Sequence, residues 1–93
     1  MVDHVRILLH GIFREIAGVR ETIEEIAFGS TIKDVLSKLA EKYGKDFNNI
    51  INPETGQIDL ETLVMVNGKS IRRADLKLRD NDVVMITVPF GGG

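Results

Sequence analysis

Few side chains in this sequence could do chemistry, and their types limit what that chemistry is. There is no cysteine, so disulfides, a thiolate metal cluster, a thiol nucleophile and a side-chain thioester are excluded. His4 and His10 share a face of any strand that holds both. Six residues apart with no carboxylate between them, they make a poor metal site and read as surface residues. No nucleophile–base or acid–base constellation is visible, which argues against catalysis by this chain alone and gives it no bound cofactor or metal of its own. Lys33, Lys38, Lys42, Lys45, Lys69 and Lys77 are amines of a kind that on exposed surface mostly serves solubility. What remains is the chain end, "VPFGGG", where Gly91, Gly92 and Gly93 present only backbone and a terminal carboxylate. On composition alone such an end reads first as a frayed terminus or a linker.

The rest of the chain must position that end. At 93 residues it holds one domain, and chains of this size bury about 60–70% of their unfolded surface without staples. A hydrophobic content of 43% supports a packed globule. The 12 basic and 14 acidic residues are interspersed, for a formal charge of −2, whereas nucleic-acid binding leaves a clustered basic face. The most basic stretch, "SIRRADLK", is broken by Asp75 and reads as solvated surface. The start, "MVDHVRILLHG", is interrupted by charge and too short to span a membrane or serve as a signal peptide, so a soluble, cytoplasmic protein is expected.

The apolar run "HVRILLHGIF" predicts a first strand ending near Gly11. "FREIAGVRET" reads as a turn with Gly18 at positive φ. "TIEEIAF" reads as a second strand in which Ile26 and Phe28 share a face and Ile23 falls out of phase, as a bulge or a loose start would allow. In "STIKDVLSKLAEKYG" the residues Ile32, Val35, Leu36, Leu39, Ala40 and Tyr43 line one helix face. Thr31 is its N-cap, Asp34 completes a capping-box pattern, and Gly44 stops it. Phe47, Ile50 and Ile51 could anchor a short helical turn before the turn chemistry of "NPETG". Asn67-Gly68 predicts a tight hairpin, Asp80-Asn81-Asp82 a turn, and Val83 to Val88 a last strand that Pro89 ends. Strands on either side of a single main helix give an α+β fold with that helix on one sheet face. Residues 1–88 form the domain and 89–93 a glycine-rich tail.

This order, with "FREIAG", "GSTIKDVLSKLAEKYG", "VMVNGKSI", "LKLRDNDVVMITVP" and the terminal glycines, resembles the β-grasp, ubiquitin-like proteins, and within them the MoaD/ThiS sulfur carriers. The turn "NPETGQI" ahead of "VMVNG" is similar to archaeal members, which include the small archaeal modifier proteins. The resemblance implies that an E1-like adenylating enzyme, supplying ATP and Mg²⁺, activates the carboxylate of Gly93. Sulfur then displaces AMP to give a thiocarboxylate, most plausibly for molybdopterin synthesis with a molybdopterin synthase large subunit. Alternatively a lysine of a target protein attacks to form an isopeptide. A non-covalent β-grasp adaptor is the third reading.

Elementary chemistry is compatible. A site that excludes water protects a reactive intermediate, and a narrow passage into it admits glycine more readily than residues with side chains. Residues 89 to 93 span about 17 Å when extended. The absence of cysteine fits sulfur held on a terminal carboxyl. Gly91 stands where many relatives have a small polar residue, and Phe90 reads as a partner contact. Where relatives often present an apolar sheet face to partners, the alignment places His10, Ser70 and Thr87, so a more polar face is expected here.

Overall fold

A computed structural model describes residues 2–88. Five strands form one mixed sheet: β1 (Asp3–Leu9), β2 (Glu21–Ile26), β3 (Leu63–Val66), β4 (Lys69–Ile71) and β5 (Val83–Thr87), in the order β2-β1-β5-β3-β4. Only β1 and β5 run parallel, with Ile7 opposite Val84; the other pairs are antiparallel. Two helices, α1 (Ile12–Ala17) and α2 (Ile32–Tyr43), and a 3₁₀ segment (Lys45–Ile50) complete the chain.

The long helix forms as its sequence dictates. The Thr31 hydroxyl accepts the Asp34 N–H, and the Asp34 carboxylate accepts the Thr31 N–H at 2.8 Å, satisfying two otherwise orphaned donors. Its stripe of Ile32, Val35, Leu36 and Leu39 is buried against Val5, Ile7 and Leu9 of β1, Ile26 of β2, Val64 of β3, and Val84 and Ile86 of β5. The 3₁₀ segment adds Phe47 and Ile50 to this core.

Two sequence expectations fail. The stretch read as a turn after β1 is helical over Ile12–Ala17 before Gly18 turns it at φ 75°. Six residues are too few for a periodicity to show, and the helix is held by Phe13, whose buried ring lies 5.6 Å from that of Phe47. In the second strand there is no bulge. Ile23 faces the outer side of the sheet, and the strand ends at Ile26, leaving Phe28 in the following loop at 99% exposure.

The placement of β5 depends on two turns. Asn67 (φ 52°) and Gly68 (φ 84°) both adopt left-handed backbone, the pattern of a type I′ hairpin turn. The Asn67 side chain then holds the start of β5: its Oδ1 accepts the Val83 N–H and its Nδ2 donates to Asp82, both at 2.9 Å. Asp80 accepts the His4 N–H at 2.8 Å, and Asn81 (φ 70°) donates its N–H to the His4 carbonyl at 2.7 Å. β5 is thereby fixed between β1 and β3 from its first residue.

One buried carboxylate lies inside the sheet. Burial pushes Glu24 up, but hydrogen bonds from the Thr22 hydroxyl (2.6 Å) and the Lys42 ammonium (3.0 Å), with the positive charges of Lys42 and Lys38, hold it below its ordinary value of 4.5. A carboxylate depressed in the folded state contributes stability above its unfolded pKa and loses it as pH falls through the folded value. Lys42→Met, which keeps the apolar stem, should therefore cost about 1 kcal/mol at pH 7, a figure reduced because Lys42 is half in solvent. The difference from the parent should shrink below about pH 4.5 as Glu24 takes a proton. Urea unfolding across pH checks this; a difference independent of pH would refute it.

Candidate functional site

Strand alternation sorts the sheet into two faces. The inner face meets α2, and the outer face carries the intervening residues. Register places Glu21, Leu8, Met85, Met65 and Ser70 in one row across all five strands. The adjacent rows hold Thr87 opposite Leu63, and Ile23, Arg6 and Val83 together. Leu8, Leu63, Met65, Val83 and Met85 are each half-buried with no helix over them, and Ile23 is 57% exposed. The expected polar face is therefore corrected. Ser70 and Thr87 do border it, Ser70 exposed on the edge strand β4, but its centre is apolar. His10 lies just past β1, exposed, its N–H bonded to the Ile86 carbonyl at 3.0 Å.

The missed signal was in the strands themselves. "ILL", "LVMV" and "VVMIT" are near-continuous apolar runs, the pattern of strands with apolar surroundings on both faces. Here, among the described residues, no element covers one of those faces.

β5 ends at Thr87 in the middle of the sheet, and Val88 rests near Gly11, where a Cβ would lie 3.8 Å from a Val88 methyl. The described chain therefore ends one residue past the central strand, with Val88 packed against the core. Phe90, Gly91, Gly92 and Gly93 lie outside the described residues. All six lysines are exposed. Among the described residues no group of side chains could hold a metal ion, and no helix is long and apolar enough to cross a membrane.

A cleft of about 590 Å³ lies elsewhere, between the start of α2 and the turn at 52–57. Arg73 pairs there with Asp75 at 2.9 Å, and Lys33, held by its backbone N–H on the Ala74 carbonyl, is exposed. It brings together no nucleophile–base or acid–base pair, so the candidate site remains the chain end, which lies outside the described residues, and the surface around Val88.

A mixed five-stranded sheet with the parallel β1–β5 pair inside it and one main helix on its inner face defines a β-grasp, ubiquitin-like protein. The chain belongs to the ThiS family, whose model matches residues 7–93. Among solved structures, a protein assigned as molybdopterin converting factor subunit 1 from Pyrococcus furiosus is 25% identical, with 94% of this chain and 98% of that one covered and a TM-score of 0.76. Small archaeal modifier protein 1 from Methanosarcina acetivorans is also 25% identical, covering 100% and 99%, with a TM-score of 0.75. SAMP1 from Haloferax volcanii shares the fold at 19% identity, covering 97% and 99%, with a TM-score of 0.78. No curated protein matches the chain by sequence. The chain is thus a member of a family of ubiquitin-like sulfur carriers and modifiers.

Proposed function

We propose that this protein is a carrier whose Gly93 carboxylate is adenylated by an E1-like partner enzyme with ATP and Mg²⁺ and then converted to a thiocarboxylate that supplies sulfur, with molybdopterin synthesis as the destination. The observation that supports this reading is the family match, which runs through the glycines to residue 93; the described chain ends just past the central strand β5. Adenylation gives the carboxylate a good leaving group, AMP; a sulfur nucleophile takes its place on the carbonyl carbon. The chain itself supplies no acid, base or nucleophile to that step. It supplies the carboxylate, a tail with little to obstruct a passage, and an apolar outer face around Met65 and Met85 for docking.

The second reading, conjugation of Gly93 to target lysines, is favoured by the likeness to the Methanosarcina acetivorans modifier protein. Both begin with the same acyl-adenylate and diverge in the attacking group.

Intact mass of the protein isolated from its host separates them. The carrier reading expects a gain equal to replacing one oxygen by sulfur at the C-terminus, and the modifier reading expects species heavier by a whole partner protein. Finding only the unmodified carboxylate would overturn both. Met65→Glu, which places a charge in the apolar face, should lower product yield about tenfold at limiting enzyme, as loss of one central contact does.

A further inference from the structure

We infer that the cleft beside the root of the tail, lined by His10, Arg14 and Arg20, is a docking site for acidic side chains of the enzyme that activates this chain. The inference rests on the adenylation reading above and adds the chemistry of the partner's surface.

The cleft encloses about 350 Å³ between the end of β1 and the turn after α1, and its lining is Leu9, His10, Gly11, Arg14 and Arg20. Arg14 and Arg20 are six residues apart, and the fold brings them together. The Leu9 N–H bonds the Arg20 carbonyl at 2.8 Å, closing the β1–β2 end of the sheet, while α1 folds back and ends with the Gly18 N–H on the Arg14 carbonyl at 2.8 Å. No carboxylate lines the cleft. The nearest acidic residue on β2, Glu21, is the partner of Arg6 at 3.8 Å. Arg14 and Arg20 form no ion pair among the described residues, in contrast to Arg6 and Arg73.

Two features make this arrangement specific. In a chain whose net charge is −2, a carboxylate-free cluster of two guanidinium groups and an imidazole stands against the overall field. It also sits beside the last described residue, since Gly11 lines the cleft and a Cβ there would lie 3.8 Å from a Val88 methyl. A partner that accepts the tail must bring the mouth of its passage to this point. Arginine forks suit carboxylates, which they can hold with paired hydrogen bonds. Being in solvent, the cluster acts mainly on encounter rate and orientation, with a strong dependence on salt.

The test is ATP–pyrophosphate exchange with the activating enzyme, varying the concentration of the carrier. For the Arg14→Glu/Arg20→Glu double variant at low salt, KM for the carrier is expected to rise at least about tenfold, within the range by which steering raises encounter rates. Its kcat should be unchanged, and the difference should fade towards about 1 M salt, where screening acts within a few ångströms. A Lys33→Glu/Lys45→Glu variant makes the same change of net charge elsewhere and should leave KM within about twofold, and thermal unfolding shows whether each variant is folded. Equal effects of the two double variants, or a loss in kcat alone, would overturn the docking site while leaving adenylation intact. A fall in KM would overturn it as well, and would point to the chain's own terminal carboxylate as the occupant. No exchange with the intact chain would overturn the docking site together with the adenylation reading.

Discussion

A chain lacking Gly92 and Gly93 is expected to retain its full stability and to support no ATP–pyrophosphate exchange. The two glycines carry no side chain to bury, and terminal residues contribute little to a domain unless they are tied down. The reaction, by contrast, depends on where the carboxylate stops. Two residues withdraw it by about 7 Å, and misplacing a reacting group by about 1 Å can already cost on the order of 10²-fold. Adding one alanine after Gly93 tests the passage from the other side. Length is gained, but a methyl must enter and the carboxylate overshoots, so exchange should fail again. The docking surfaces around Met65 and Arg14 are unchanged in both variants, and each should still compete with the intact chain for the enzyme. Equal exchange by intact, shortened and extended chains would mean that the terminus is not the reacting group, and a non-covalent adaptor would then be the better reading.

What the sequence disclosed and what it hid follow from the range of the interactions involved. The helix at Ile32–Tyr43 was legible because its stripe and its Thr31–Asp34 capping box are both local patterns. Asn67-Gly68 and Asn81 were legible because few residues accept positive φ, and those that do mark their turns. The short helix α1 was not. Its six residues hold no period, and it exists because Phe13 reaches a core completed by Phe47, far along the chain. Phe28 misled for a related reason: period-2 alternation says which face a residue takes while the strand lasts, but not that the strand stops at Ile26. At the site, the glycine end could be read directly. The outer face could not, because it depends on register: Leu8, Met85 and Met65 become one row only when three strands are aligned. The pairing of Arg14 with Arg20 around one cleft likewise exists only after α1 has turned the chain.

The contrast between Leu36 and Phe28 turns that reading of the core into a measurement. Leu36→Ala should destabilise the protein by about 2–5 kcal/mol, since the side chain is 1% exposed and its removal forfeits transfer free energy and leaves a cavity. That is a large share of the roughly 5–15 kcal/mol available to a domain of ordinary stability. Phe28→Ala removes a larger apolar group, yet it should change stability by less than about 0.5 kcal/mol, because a ring at 99% exposure meets water equally in the folded and the unfolded chain. Side-chain size and hydropathy alone rank these two substitutions in the opposite order. Urea denaturation of both variants against the parent, with the midpoint read at constant slope, decides between the orders. A cost above about 2 kcal/mol at Phe28 would mean that its loop packs as the alternation of "TIEEIAF" first suggests. A cost below about 0.5 kcal/mol at Leu36 would mean that α2 presents a different face to the sheet. The inner and outer faces would then have to be reassigned together, because the exposure of Met65 and Met85 follows from the same alternation that buries Val64 and Val84 beneath the helix.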